Sequence, residues 1–248
     1  MKTILDYLEV HVAHHCNINC KGCGHYSNFV KASFPDIVQY TKDVARLREL
    51  VPEIQEIRLL GGEPLLNLEL PQFISVMREA YPAADLRVVT NGLLIPNADA
   101  VLFQMMRDCH VRFDISQYPP TKQRLVEILA RCEAESVPFH VSQEVQTFCR
   151  FEDTDAPGNV QAIFLNCRLK RCHMMLDGKI AVCPLPILRN AFREYEWANL
   201  FTEDIINLYD ASLTGEVLVQ RLQNPCKLCA YCGNHGELFE WEGNVQKR

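Results

Sequence analysis

Leu8-Glu9-Val10-His11-Val12, then Cys16-Asn17-Ile18-Asn19-Cys20-Lys21-Gly22-Cys23: this stretch decides how the rest of the 248-residue chain is read. The first five residues alternate apolar and polar, the period of a half-buried strand. The following eight carry three thiols as C-x3-C-x2-C on the loop that the strand leads into. Three thiolates this close can hold three corners of an iron–sulfur cubane. A [4Fe-4S] cluster ordinarily takes four protein ligands, so one iron would stay open to a small molecule. A structural zinc site closes instead with four ligands, commonly as C-x2-C pairs. His14, His15 or His25 would be the fourth ligand in that case.

Outward from this stretch the chain repeats strand then helix. Ile37, Tyr40, Val44, Leu47 and Val51 recur at helical spacing, which predicts a helix over 36–51. Ile57-Arg58-Leu59-Leu60 is the second strand, and Phe73, Met77 and Ala80 mark the next helix. Leu86-Arg87-Val88-Val89 is the third strand, followed by a helix through Val101, Leu102, Met105 and Cys109 that Asn97 would cap. Val111–Ile115, a helix through Leu125, Ile128 and Cys132, and Val137–Val141 complete five strands. Repeated βα units imply a parallel sheet with helices outside it. A parallel strand covered on both faces should be apolar throughout, yet these strands carry Glu9, His11, Arg58, Arg87, Arg112, Asp114 and His140. Burying those charges against helices would be costly. A curved, partial barrel would set them in a wet lumen that suits a polar substrate.

With its motifs in this order, the chain resembles the radical S-adenosylmethionine (SAM) superfamily over about residues 5–145. That family carries C-x3-C-x2-C after strand one of a partial (β/α)6 barrel. Gly61-Gly62-Glu63-Pro64 is similar to its GGEP element, which binds the SAM amino group. Thr90-Asn91-Gly92 stands at the usual TNG position, and Ser116 lies where the family contacts the SAM ribose or carboxylate. The residue before the third cysteine is commonly aromatic there; here it is Gly22, and Tyr26 would fill the space near the adenine. The resemblance implies that Cys16, Cys20 and Cys23 hold a [4Fe-4S] cluster to which SAM binds. One-electron cleavage of SAM then gives a 5′-deoxyadenosyl radical that takes a hydrogen atom from substrate. A reduced flavodoxin or ferredoxin would supply the electron.

After residue 150 the βα alternation fades and cysteines accumulate, so the expected division is a barrel over 1–150 and a small module over 151–248. Met174–Val182 reads as a hairpin turning at Asp177-Gly178, and 202–211 and 215–222 read as short helices. Cys167-x10-Gly178-x4-Cys183, followed by Cys226-x2-Cys229-x2-Cys232, resembles the twitch and SPASM modules that hold auxiliary [4Fe-4S] clusters. Six cysteines are too few for two fully ligated clusters, which favours a single-cluster twitch module. Cys167, Cys183, Cys226 and Cys229 fit the family spacing, with Cys172 a rival for Cys167; a zinc ribbon is the alternative. Cys109 and Cys132 read as core. Cys149 reads as a loop thiol after the fifth strand that would return a hydrogen atom in an epimerase, and Arg150, Arg168 and Arg171 would bind an anionic group.

Twelve cysteines, 48% hydrophobic residues, 23% charged residues and a net charge of -6 exclude disordered and low-complexity classes. With no basic run, no nucleic acid is expected as partner. With no apolar run of membrane length, and with Asp6 where a signal peptide would be apolar, a cytoplasmic protein is expected and no membrane partner. In a reducing compartment such cysteines are metal ligands more often than disulfides. The expected chemistry is oxidation of a sugar or aminocyclitol alcohol, with the auxiliary cluster taking the electron. Epimerisation of a sugar and maturation of a precursor peptide are alternatives; the early position of Cys16 argues against a leader-binding domain ahead of the barrel. A non-enzymatic zinc module would use neither the GGEP-like element nor the barrel.

Overall fold

The computed structural model describes residues 3–152, 157–192 and 201–246. In chain order it holds β1 (Ile4–Ala13), β2 (Ile18–Cys20), α1 (Ile37–Leu50), β3 (Glu53–Gly61), α2 (Leu70–Ala80), β4 (Asp85–Thr90) and α3 (Ala100–Asp108). There follow β5 (Arg112–Ile115), α4 (Pro119–Gln123), α5 (Leu125–Ala134), β6 (Phe139–Val141), β7 (Thr147–Glu152) and α6 (Val160–Asn166). The last group is β8 (Met174–Leu176), β9 (Lys179–Ala181), α7 (Pro184–Phe192), β10 (Ile206–Asn207), α8 (Gly215–Leu222), β11 (Cys232–Glu240) and β12 (Gly243–Val245). The main sheet runs β10-β9-β8-β1-β3-β4-β5-β6. Pairing is parallel from β8 through β6 and antiparallel only at β9 and β10. This is the α/β architecture with a mostly parallel sheet that the βα repeats imply.

The alternation in the strands separates two faces. Leu8, Val10, Ile57, Leu59, Leu86, Val88, Phe113 and Ile115 pack into one core with Val44, Leu47, Phe73, Met77, Phe103 and Ile128 from the helices. The sixth parallel strand is β8 of the Asp177-Gly178 hairpin, laid along the far side of β1. Both turn residues adopt positive φ, 48° at Asp177 and 70° at Gly178, as a two-residue hairpin turn requires. Buried Asp43 of α1 holds the turn in place. It accepts from the Gly178 N–H at 2.7 Å and the Tyr209 hydroxyl at 2.7 Å. Met175, Ile180, Leu218 and Leu222 join the helix-side core, so residues on both sides of position 150 share it.

The opposite face carries the charges. Glu9, Arg58, Arg87 and Arg112 align across β1, β3, β4 and β5. They are paired rather than solvated singly. Arg58 meets Glu56 at 2.6 Å, Arg87 meets Glu56 at 2.9 Å and Asp114 at 3.2 Å, and Arg112 meets Asp85 at 2.9 Å. Desolvation of each charge is thereby offset by a partner.

Three local expectations are corrected. The cap of α3 is Asp99, whose carboxylate accepts from the Val101 N–H at 2.8 Å, and not Asn97, which ends a preceding turn. Residues 202–211 are a short 3-10 turn followed by β10, not a helix, because Ile206 and Asn207 pair with β9. Cys149 lies in β7, paired with Leu238 of β11, and not in a loop. No helix among the described residues is long and apolar enough to cross a membrane.

Candidate functional site

Three loops converge at the C-terminal ends of β1, β3 and β4, and hydrogen bonds tie them together. The first bears the cysteines. Cys16 lies just beyond β1, Cys20 ends β2, and Cys23 follows Gly22, which turns at φ 66°. The second is Gly61-Gly62-Glu63-Pro64. Its backbone continues the ladder onto the first loop, the Gly62 N–H reaching the Ala13 carbonyl at 2.9 Å and the Glu63 N–H the His15 carbonyl at 2.9 Å. Only glycines allow that approach. A Cβ on Gly61 would collide with the Ala13 carbonyl oxygen, and one on Gly62 with the His15 carbonyl oxygen and, at 2.9 Å, with the Cys16 nitrogen.

Glu63 is fully buried. Its carboxylate accepts from Thr90 Oγ1 at 2.6 Å, the Leu65 N–H at 3.1 Å and the Asn91 N–H at 2.8 Å. Burial pushes its pKa up to about 7 against those three hydrogen bonds. It therefore clamps the second loop to the third, and of roughly four acceptor sites on a carboxylate one stays open. Asn91 joins the third loop to the first, its Nδ2 donating to Asn17 Oδ1 at 2.6 Å and to Cys16 Sγ at 3.6 Å. The Ser116 N–H extends the set, donating to the Thr90 carbonyl at 2.9 Å.

The cysteine sulfurs sit among N–H donors and apolar walls. The Ile18 N–H lies 3.4 Å from Cys16 Sγ, and Trp241 Nε1 donates to Cys20 Sγ at 3.3 Å. Leu93, Tyr118, Phe148 and Trp241 pack around the group. Burial, with the Glu63 carboxylate behind it, pushes the Cys16 thiol up to about 12; burial pushes Cys20 up to about 11 against the Trp241 N–H. Metal loading must displace those protons, so binding here releases them. Among the described residues no three His, Cys, Asp or Glu side chains close around one point as a single-ion cage. What fits an iron–sulfur cluster is the donor set: three neighbouring thiols, N–H groups aimed at two of the sulfurs, and a glycine loop that leaves its backbone bare beside them.

Tyr26 is tied to this loop through its backbone, its N–H donating to the Cys23 carbonyl at 3.0 Å. It turns at φ 53° and buries its ring with Leu60, Phe164, Met174 and Cys183 on the charged side of the sheet. The ring that lies on Gly22 is Phe239 of β11, its Cε2 3.2 Å from where a Cβ would stand.

The later cysteines divide. Cys183 is buried, and its electrostatic neighbours are Cys232, Cys229 and Cys167. Cys226 and Cys229 face each other at 3.6 Å, and that contact lowers the Cys229 thiol. Buried Asp204 shapes their loop by accepting from the Lys227 N–H at 2.9 Å and the Leu228 N–H at 2.7 Å. Cys172 has both Glu9 and Cys167 as neighbours, and burial followed by the Glu9 carboxylate pushes its thiol up to about 12. Tyr7 donates to the same carboxylate at 2.7 Å. Burial raises the Cys149 thiol, with Arg168 opposing. Arg150 pairs through its backbone with Glu237; its side chain lies outside the described part, and Arg171 borders a cavity of about 290 Å³ at the opposite end of β1.

Sequence reasoning missed Asn17, Tyr118, Asp204, Phe239 and Trp241. Asn17 and Asp204 act through buried hydrogen bonds that no periodicity announces. The aromatic run near the C-terminus was a visible signal, without a partner until β12 was seen to pair with β2.

The model of the radical SAM superfamily matches residues 10–136. The chain is similar to the GTP 3′,8-cyclase of Nautilia profundicola, 36% identical over 89 residues, 36% of this chain and 28% of that protein. It is similar also to the GTP 3′,8-cyclase of Sulfurovum sp., 31% identical over 93 residues, 37% of this chain and 28% of that protein. The chain thus spans under a third of those cyclases. Among solved structures it resembles BtrN in complex with AdoMet and 2-DOIA, with a TM-score of 0.55 and 16% identity over 94% of each chain. That likeness is one of fold.

Proposed function

The chain belongs to the radical SAM superfamily, and from that premise we propose that it oxidises an alcohol of a sugar or aminocyclitol, with an auxiliary cluster as electron acceptor. When bound, the first cluster and SAM supply the 5′-deoxyadenosyl radical that takes the hydrogen atom. Cys16, Cys20 and Cys23 hold that cluster. Gly61, Gly62, Glu63 and Pro64 offer backbone and carboxylate to the SAM amino group. Thr90, Asn91 and Ser116 hold the neighbouring loop in register. Residues 151–248 form the auxiliary module, its ligands drawn from Cys167, Cys183, Cys226, Cys229 and Cys232. The Arg58, Arg87, Arg112 and Asp114 network orients hydroxyl groups, and Cys172 stays outside the ligand set. The setting is cytoplasmic, with a reduced flavodoxin or ferredoxin as electron donor.

One observation carries this reading. Cys183 and Cys229 share a core with Leu60 of β3 and with Tyr26, which follows Cys23 in the first cysteine loop. The loop that carries the first thiols and the later cysteines thus meet in one packed cluster, which supports an electron acceptor on the same side of the sheet as the first cluster.

Anaerobic reconstitution tests it. Two clusters require about eight irons with matching sulfide. With SAM, dithionite and a panel of aminocyclitols and sugars, product two mass units lighter than substrate is expected, with deuterium from the oxidised carbon appearing in 5′-deoxyadenosine. About four irons in a fully reconstituted, SAM-cleaving protein would remove the acceptor and the proposal with it. Zinc at Cys226 and Cys229 would do the same, since a 3.6 Å sulfur separation suits a tetrahedral ion with bonds of about 2.3 Å. Epimerisation, with Cys149 returning the hydrogen atom, is the second reading. Under that reading Cys149→Ala stops product while hydrogen abstraction continues.

A further inference from the structure

The segment after β11 is built onto the first cysteine loop. β12 pairs antiparallel with β2, setting Gly243 opposite Cys20, Asn244 opposite Asn19 and Val245 opposite Ile18. The ladder extends at both ends, from the Lys21 N–H to the Glu242 carbonyl at 2.9 Å and from the Gln246 N–H to the Asn17 carbonyl at 2.9 Å. Backbone of the C-terminal segment thus covers the strand inside the C-x3-C-x2-C motif.

Trp241 is the residue this arrangement aims. Its backbone N–H donates to the Gln146 carbonyl at 2.9 Å, which anchors it beside β7. Its ring lies 5.8 Å from Tyr118, tilted by 32°. Gly243 allows the indole to fold back over β2, because a Cβ there would meet the ring at 2.6 Å. The outcome is the Nε1–H directed at Cys20 Sγ, 3.3 Å away. An indole N–H is a donor only. Cys20 is buried, and a hydrogen bond gains strength where water is excluded.

We propose that Trp241 sets the reduction potential of the first cluster, its indole N–H donating to the Cys20 sulfur from a C-terminal strap that seals the cysteine loop. An N–H donor stabilises negative charge on a ligand sulfur. The reduced cluster carries more of that charge than the oxidised one, so the bond raises the potential. Trp241 is a positioning residue and touches no reacting atom. The proposal rests on Cys16, Cys20 and Cys23 holding the SAM-binding cluster.

The test is an EPR-monitored redox titration of the reconstituted full chain, following the signal that changes when SAM is added. Trp241→Phe removes the N–H and keeps an aromatic ring. Replacing the indole by its benzothiophene isostere removes the N–H and keeps the whole ring shape, so the question is answered even if the Phe variant packs poorly. The expected result is a more negative midpoint potential in both variants, with iron and sulfide content unchanged. An unchanged midpoint in an iron-replete isostere variant would overturn the proposal. Cys20→Ala separates this from failure of the cluster assignment: if the SAM-responsive signal survives that substitution, Cys20 is no ligand and both readings fall. Phe148→Leu perturbs the same apolar wall without an N–H; a shift there equal to that of Trp241→Phe would assign the effect to packing and likewise overturn the proposal.

Discussion

Glu63 should hold the apo protein together as well as hold SAM, and Glu63→Ala separates the two roles. Truncation strands three buried donors: Thr90 Oγ1, the Leu65 N–H and the Asn91 N–H. A buried donor left unpaired costs about 1–3 kcal/mol, less where water enters the space vacated. The sum is about 3–5 kcal/mol, which for a chain of this size lowers Tm by about 10 °C. Glu63→Gln keeps the volume. One amide oxygen can retain Thr90 and Leu65, but the amide NH2 then opposes the Asn91 N–H, so the loss is about 1–3 kcal/mol. The lost contact to the SAM ammonium is worth about 1.5–3 kcal/mol, a weakening of tenfold or more. Thermal unfolding of the metal-free protein by circular dichroism, followed by calorimetry of the reconstituted protein with SAM, reads the two effects separately. An apo Tm within about 2 °C of wild type for Glu63→Ala would refute the clamp. A loss of stability with unchanged SAM affinity would make the carboxylate structural only.

Gly62→Ala should cost about 2–4 kcal/mol and lower the iron retained at the first cysteine group, because the new Cβ displaces His15 and Cys16; full iron loading would show that the close approach is dispensable. Cys172→Ser should keep its complement of iron while Cys229→Ala loses the auxiliary share, since the Glu9 carboxylate raises the Cys172 thiol; equal iron loss in both would return Cys172 to the ligand set. Asp85 carries a pH dependence. Burial alone would raise its carboxyl, but the Arg87 hydrogen bond and charge, with Arg112 behind, hold it below the ordinary 3.8. A carboxyl with a depressed folded pKa contributes stability present above the unfolded value and lost as pH falls through the folded one. Asp85→Asn should therefore lower Tm slightly at pH 7, and the deficit should shrink as pH falls below 3.8 toward the lowered folded value. A deficit constant across that range would exclude an ionic cause.

The sequence disclosed the barrel part of the fold because its strands and helices obey local periods, and those periods survive in the structure as two faces of one sheet. Cys16, Cys20 and Cys23 were legible because three thiols in eight residues are rare without a metal. The spacing places a helix over 36–51, and α1 fills it, with Asp36 and Val51 as its two caps. The misplaced elements share a cause. β7 and β10 have no period long enough to read and exist only through partners, β11 in one case and β9 in the other. Tyr26, expected near the adenine because Gly22 leaves that position without a side chain, packs its ring with Met174 and Cys183.

Phe239 and Trp241 show what this costs a reading of site chemistry. A resemblance locates functional residues where the family's motif stands in the chain, and Gly22 leaves that position without a side chain. The space is filled all the same. The Phe239 ring occupies the volume over Gly22, an approach that the lack of a Cβ allows. Lys21, the neighbour of Gly22, points its ammonium over the same ring at 5.9 Å. The missing side chain at position 22 and the aromatic supplied more than two hundred residues later are thus linked, since a Cβ at position 22 would require the Phe239 ring to shift. The pairing of β12 with β2 places both aromatics, and its strand partner within the motif is only three residues long. A contact of that kind is paid for by loop closure over nearly the whole chain, a cost that grows only logarithmically with length, so distance in sequence sets little limit on which residues finish a site.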